Sequence, residues 1–278
     1  MAVTIIIDAG CDLMVSEAQD MGVILVPMTI HFADLSYRAG FDISHDEFYK
    51  KLAASKELPT TSQPTPYDFS CAYEQIPQGD EAVVICVSSA LSGTYQSACI
   101  AAQNYDNVHI LDSCSATIGQ RLLLNYADVL RRDGCSAAQI VSKLEDVKQK
   151  LVLFGAVDTL EYLIKGGRLS KAAGIAGTVL GVRPILTIHD GILDVYAKAR
   201  GAKQAIKVII DAVYAAGVDT TMPAIIGYTG TDASVMNPYR DVSVDMWNGL
   251  VPETVQIGST IGTHAGPGLV GVAFFKKN

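Results

Sequence analysis

Three stretches of the chain set hydroxyls or an imidazole beside glycine or proline, the residues that fix or free a backbone. The first is Val87-Ser88-Ser89-Ala90-Leu91-Ser92-Gly93-Thr94-Tyr95-Gln96-Ser97. An apolar run over 82–87 precedes it and reads as a buried strand, and the small residues over 96–102 read as a helix. The hydroxyls of Ser88, Ser89, Ser92 and Thr94 therefore fall where a strand ends and a helix begins. In open α/β sheets ligands gather at that edge, and a helix N-terminus offers unpaired N–H groups to an anion. Gly93 would let a ligand approach the backbone closely. Ser92 can equally be a helix N-cap, and one residue can do both.

The second stretch is Leu58-Pro59-Thr60-Thr61-Ser62-Gln63-Pro64-Thr65-Pro66, with three prolines and four hydroxyls in nine residues. It predicts a stiff loop that presents hydroxyls, with Thr65 capping a helix over 67–73. The third runs from Ile257 to Gly268, where four glycines and Pro267 surround His264. Such a frame predicts an exposed imidazole, which could be a base, a covalent acceptor or a donor to an anion. Asp8 and Asp12 flank Gly10 after the first apolar run and could hold a cation or position a ligand. The reading preferred for Asp12 is a cap for a helix over 15–21.

The elements that would carry these residues alternate. Strands are expected over 3–7, 23–26, 82–87 and 108–111, with a short extended segment over 28–32. Between and after them lie helices opened by Ser44-His45-Asp46-Glu47 and by Ser136 with Gln139, two capping boxes, and a long helix over 116–132. That order implies a parallel sheet with right-handed crossovers. From Leu151 the texture changes. A strand over 152–157, a helical turn over 159–164, a small-residue helix over 172–180 and a hairpin around Asp190-Gly191 follow. A helix over 201–216 and strands over 224–228, 254–257 and 270–275 complete it. The fold class expected is α/β in two domains. The N-terminal one, 1–158, has a mostly parallel sheet with helices on both faces. The C-terminal one, 159–278, has a mixed, partly antiparallel sheet with helices.

Composition narrows the function classes. The 278 residues are nearly half apolar, 18% charged, and carry a formal charge of −8. An acidic chain without a Lys/Arg cluster is a poor nucleic-acid binder, since phosphate neutralisation needs a basic face. Residues 1–8 read as a first strand rather than a signal peptide, and no apolar run reaches the ~18 residues of a membrane span. A cytoplasmic protein is expected. Its six cysteines form no CxxC pair and none sits beside a histidine, which argues against zinc or an iron–sulfur cluster. Cys11 and Cys114 follow strands and are candidate reactive thiols, the others small hydrophobes.

The sequence resembles the bacterial DegV family. The residues that carry the resemblance are Thr61-Ser62-Gln63-Pro64, Ser92-Gly93-Thr94-Tyr95-Gln96, Tyr162-Leu163 with Lys165-Gly166-Gly167-Arg168, Lys198 with Arg200, and Ile261-Gly262, His264 and Gly266-Pro267-Gly268. Each is weak alone; the ordered set is specific and covers nearly the whole chain. The resemblance implies a lipid-binding protein that holds one long-chain fatty acid in a tunnel between two α/β domains. Some members are subunits of a fatty acid kinase of phospholipid metabolism, presenting the carboxylate to a separate ATP-binding subunit that makes the acyl phosphate. It implies that Thr61 or Ser62, Ser92 with Gly93 and Thr94, and His264 hold the carboxylate, that Arg200 belongs to the surface docking the kinase, and that no cofactor or metal is needed. Ala9 stands where the family usually has a hydroxyl residue, and Arg183 where it often has lysine.

Two functions compete. A carrier needs only donors to a carboxylate and an apolar cleft, where burial contributes ~0.8 kcal/mol per methylene. An acyl- or phosphotransferase would use Ser92 or His264 as nucleophile. Against it, no G-x-S-x-G elbow surrounds Ser92 and no P-loop is present.

Overall fold

The computed structural model describes residues 2–33, 35–169 and 181–277. The helix expected over 172–180 lies outside them.

The N-terminal half opens with β1 (Val3–Asp8), α1 (Val15–Asp20), β2 (Val23–Val26), β3 (Thr29–Phe32) and β4 (Leu35–Arg38). It continues through α2 (His45–Ala54), β5 (Thr60–Ser62), α3 (Pro66–Tyr73), β6 (Glu81–Cys86) and α4 (Thr94–Ala101). Then come β7 (Val108–Asp112), α5 (Thr117–Arg132) and α6 (Ala137–Lys148). Four strands form a parallel sheet in the order β2-β1-β6-β7. Its strands are buried on both faces, so they read as continuous apolar runs rather than alternating ones. Ile5, Ile7, Val83 and Ile85 face the core shared with α5 and α6, while Ile6, Val84 and Cys86 face Phe69, Tyr73 and Ala98 of α3 and α4.

The capping boxes at Ser44 and Ser136 form as expected, and Thr65 builds a third with Asp68. Asp12 does not cap α1. That end is held by Glu17, whose carboxylate accepts from the Met14 amide. The proline-bracketed segment is not wholly a loop, since Thr60–Ser62 pairs antiparallel with β3 in a small sheet ordered β4-β3-β5. Its prolines lie outside the three paired residues, so no ladder donor is lost.

The second half holds β8 (Leu151–Ala156), α7 (Glu161–Lys165), β9 (Val182–His189), β10 (Ile192–Arg200), α8 (Ala202–Ala216) and β11 (Ala224–Tyr228). It ends with α9 (Asn237–Ser243), β12 (Glu253–Gln256), α10 (Ser259–Ala265) and β13 (Val270–Phe275). The six strands are ordered β10-β9-β8-β13-β11-β12, all antiparallel except the β11–β12 pair. Helix α8 covers one face through Ile209 and Val213.

Two α/β units are thus present, but the division expected at 158/159 needs correction. It leaves β8 with the parallel sheet, whereas β8 hydrogen-bonds β13 and β9. By sheet membership the boundary falls before Leu151. Helix α5 joins the two units, packing on β1 and β6 of one sheet and on β8, β11 and β13 of the other. This explains why eleven of its sixteen residues are buried, polar Gln120, Arg121 and Asp128 among them. Each has a partner: Gln120 donates to Asp8 and the Ile85 carbonyl, Arg121 meets Glu17 and Glu253, and Asp128 meets Arg131 and Arg132.

Candidate functional site

At the carboxyl edge of the parallel sheet, against the second sheet, lies a cavity of ≈ 370 Å³. Its walls include Val87, Ile118, Leu153, Leu186, Leu193 and Leu269, from both units. Thr61, Ser62, Gln63, Ser92, Arg168, Thr260 and His264 add polar groups. No carboxylate side chain lines it among the described residues.

Thr61 comes from β5. Alternation along a strand sends Thr61 and Ser62 to opposite faces. Thr61 Oγ1 lies 2.8 Å from His264 Nε2, and Ser62 Oγ lies 2.8 Å from His31 Nε2. Of the two hydroxyls, Ser62 is engaged away from His264, and Thr61 is the one coupled to the imidazole.

His264 sits in the last turn of α10, a helix rather than the exposed turn expected. The surrounding glycines serve close packing. A Cβ at Gly258 would meet His45, one at Gly262 would meet Phe48 and Tyr49, and one at Gly266 would meet the Tyr162 ring. Burial, and then the Arg168 charge, push the His264 pKa down to about 4, so the ring is neutral at pH 7. Its Nδ1 has no hydrogen-bond partner among the described residues. A neutral ring with its proton on Nε2 donates to Thr61, which leaves the Thr61 O–H free to donate to a ligand.

Ser92 precedes α4, whose N-cap is Gly93, so Ser92 is not that cap. Its Oγ lies 2.8 Å from Thr94 Oγ1 and accepts from the Thr94 amide. Thr94 is fully buried and outside the cavity wall; its hydroxyl orients that of Ser92. Gly93 is likewise outside the wall. A Cβ there would sit 2.3 Å from Gln63 Oε1, so its bareness seats the Gln63 amide, which donates to Ser97 Oγ at 3.1 Å. Ser88 and Ser89 are structural. The Ser88 hydroxyl donates to the Gly191 carbonyl at the hairpin tip, and the Ser89 amide donates to Asp112.

Arg168 follows α7, and in the sequence it stands out only as the end of the Lys165-Gly166-Gly167-Arg168 motif, with no site role. Its Nη1 donates to the Gly166 carbonyl at 2.7 Å and its Nε to the Leu91 carbonyl at 3.3 Å. The guanidinium is thereby held between the Ser88–Ser92 loop and α7, against the cavity. The Lys-Gly-Gly-Arg run was its only local signal. Thr260, also missed, lines the wall with a buried hydroxyl that has no partner among the described residues.

The two carboxylates of the acidic loop after β1 are engaged within the chain. Asp8 accepts from the Gly10 and Val87 amides and from Gln120, and Asp12 accepts from the Thr117 hydroxyl and the Gly258 amide. Burial pushes Asp8 up to about 6 and Asp12 up to about 7. Asp12 also holds Thr117 at φ 51°, a strained conformation for a β-branched residue in the cavity wall. Ala9 is buried and does not line that wall. Arg183 pairs with Asp158 at 2.6 Å, and Arg200 is exposed at the end of β10, outside the wall. Burial raises the thiol pKa of Cys11 and of Cys114, which removes thiolate character from both candidates. No helix among the described residues is long and apolar enough to cross a membrane.

The family model described as uncharacterised proteins of the DegV family matches residues 2–277. A DegV domain-containing protein of Caldanaerobacter subterraneus is 35% identical over 281 residues, covering 99% of each chain. A DegV family protein from Thermus thermophilus, solved as a fatty-acid-binding protein, is 30% identical with a TM-score of 0.88 over 100% of both chains. The Fatty Acid Kinase B3 protein of Streptococcus pneumoniae, loaded with linoleic acid, shares the fold at 21% identity and a TM-score of 0.85 over 100% of both chains.

Proposed function

The chain belongs to the DegV family, and from that premise we propose that it binds one long-chain fatty acid, acyl chain in the apolar cavity and carboxylate at its polar wall. The observation that carries this is the wall itself. Thr61, Ser92 and Arg168 supply donors, with the Thr61 hydroxyl set by neutral His264, without an opposing carboxylate, beside a cavity otherwise lined mostly by aliphatic side chains. A carboxylate taken from water into such surroundings must be hydrogen-bonded or paired, and these groups can do both. The volume fits the ~300–1,000 Å³ of small-molecule sites. Ten buried methylenes would contribute ~8 kcal/mol, so the tail supplies most of the affinity and the polar wall sets direction. The fatty acid found in the Thermus thermophilus relative supports the same ligand class.

The carboxylate is then offered to a partner kinase that makes the acyl phosphate, with exposed Arg200 on the docking surface. The Fatty Acid Kinase B3 protein of Streptococcus pneumoniae, which shares the fold and carries linoleic acid, motivates this step. The enzyme alternative lacks its pair: Ser92 Oγ bonds Thr94, and His264 Nε2 bonds Thr61 rather than Ser92.

Native mass spectrometry of the purified protein tests the reading. A non-covalent adduct of one acyl chain, lost on denaturation, is expected. A covalent adduct on Ser92 or His264 would overturn the carrier in favour of the enzyme, and a protein that neither retains nor takes up added fatty acid would overturn both.

A further inference from the structure

Strands β8 and β9 separate at one end. They pair only from Phe154 with Thr187 to Ala156 with Ile185. Among the described residues, 151–153 pair with β13 alone, and Ile188 and His189 pair with β10 alone. The tip of the β9–β10 hairpin leans instead on the loops after β6 and β7. The Ser88 hydroxyl donates to the Gly191 carbonyl at 2.7 Å, and a Cβ on Gly191 would meet Ser88 Oγ and the Cys114 backbone. An edge of β8 is thereby left with backbone donors and acceptors that no neighbouring strand takes up.

A cavity of ≈ 360 Å³ fills this split. Leu153, Phe154 and Ile188 line both it and the acyl cavity, so the two adjoin. They meet away from the head group. Beyond Ala156 the pairing with β9 continues in the bond from the Val157 amide to the Pro184 carbonyl, and the chain then leads to α7 and Arg168. The lining of the split is more polar than that of the acyl cavity, with Lys148, Gln149, Thr187, Asp190 and Lys276 in it. Lys148 is nearly buried, its side chain 8% exposed. Its ammonium donates to the Asp112 carbonyl at 3.0 Å and pairs with Glu145, which does not line the split. Asp190 is largely exposed and pairs with His189 at the hairpin tip.

We propose that the split is a subsite for an oxygenated far end of the acyl chain, so that the ligands include long-chain acids with a hydroxyl or carboxyl at the end opposite the head group. The proposal rests on the fatty-acid reading above. An oxygen drawn in among Ile118, Leu186 and Leu193 of the acyl cavity would lose its water and find no partner. A chain long enough to pass them puts the same oxygen among Lys148, Gln149 and Thr187. The penalty for oxygenation therefore depends on length: large for chains that end within the acyl cavity, absent for chains that reach the split. A carboxylate gains more there than a hydroxyl, because the lining brings ammonium groups to it.

The test titrates the full chain with saturated acids of ten to eighteen carbons, each beside its ω-hydroxy and its α,ω-dicarboxylic counterpart, all below their micelle concentrations. The shortest hydroxy acids should bind about tenfold more weakly than their parents, and the longest within about twofold of them. Lys148→Met and Lys276→Ala should each weaken the longest diacids about three- to tenfold and leave the parent acids, laurate included, within about twofold. Diacid affinity should also fall more steeply with salt in the wild type than in either variant. A hydroxyl penalty that is the same at every length, or variants that affect diacid and parent equally, would overturn the subsite while leaving the fatty-acid reading in place. Failure of the wild type to bind any parent acid would overturn the fatty-acid reading, and the subsite with it.

Discussion

Thr61→Val separates the head group from the tail. Valine keeps the branched shape but deletes the hydroxyl that lies 2.8 Å from His264 Nε2. Two bonds disappear together: the one His264 makes to Thr61, and the one Thr61 would donate to the carboxylate. A hydrogen bond to a charged group is worth ~1.5–3 kcal/mol, so the dissociation constant should rise about 10- to 150-fold. At ~0.8 kcal/mol per buried methylene the loss equals roughly two to four methylenes. The variant should therefore bind a fatty acid two to four carbons longer about as tightly as the wild type binds the shorter one. Calorimetric titration over a chain-length series gives the penalty at each length, and a contact confined to the head group predicts the same penalty throughout. Fatty alcohols of matched length are the control, because they bring no charge for Thr61 to meet. An equal penalty for acids and alcohols would refute the reasoning and reduce Thr61 to a structural link between β5 and α10.

Gly166→Ala would place a Cβ 2.3 Å from His264 Nδ1 and 3.0 Å from the Tyr162 carbonyl. His264 must then shift, so thermal stability should fall by ~1–3 kcal/mol and laurate affinity should fall with it; unchanged affinity would detach His264 from the site. Ser92→Ala should cost fatty-acid affinity about tenfold and also lower the denaturant midpoint, since it leaves the buried Thr94 hydroxyl without its partner; unchanged affinity would detach Ser92 from the site. Asp12, held up to about 7 by burial, keeps its proton in the folded state at pH values where the unfolded chain has released it. Its contribution is full below pH ~4 and is lost as pH rises towards 7, whereas His264, lowered to about 4, destabilises only as pH falls below ~6.5. Asp12→Asn should therefore flatten the stability profile between pH 4 and 7, as read by urea melts; an unchanged slope would place the titration elsewhere. Arg200→Ala should leave fatty-acid binding intact and slow phosphorylation by the partner kinase, mostly at low salt; loss of the bound lipid would instead put Arg200 in the pocket.

What the sequence made legible was what is local. Capping boxes at Ser44 and Ser136 declare themselves within four residues, and the apolar runs of β1 and β6 declare burial on both faces. What escaped was decided across long separations. Strand β5 exists because β3 lies about thirty residues upstream to pair with it, and β8 joins the second sheet because β13 lies at the far end of the chain. Asp12 has the spacing of a cap, yet its partners are Thr117 and Gly258. The glycines around His264 looked like a frame for exposure. They are bare because Phe48, Tyr49 and Tyr162 need the room. Thr61 and Ser92 were legible as hydroxyls on fixed backbone, but not which neighbours orient them. Arg168 was not legible as a site residue, because its position depends on the Leu91 carbonyl, 77 residues away.

The orienting neighbours have a chemical consequence. A carboxylate clamped by a bidentate Arg pair has both oxygens held and less basic. In this wall the one cation among the described residues, Arg168, already spends Nη1 and Nε on carbonyls, and the other donors there are hydroxyls set by uncharged partners, Thr61 by His264 and Ser92 by Thr94. Such a grip satisfies the charge without tying up both oxygens, which suits the proposed presentation of the acid to a partner kinase. It also spans the molecule. Thr61 rides on β5 and Ser92 follows β6, while His264, which sets the Thr61 hydroxyl, sits on α10 of the second unit, so a carboxylate held by these groups ties the two halves together. Because only the folded chain assembles those donors, bound fatty acid should stabilise it by RT ln(1 + [L]/Kd). Thr61→Val, Ser92→Ala and His264→Gln should each shrink that increment in proportion to the affinity they lose. A variant that loses affinity yet keeps the full thermal increment would show that the two halves are not joined through the head group.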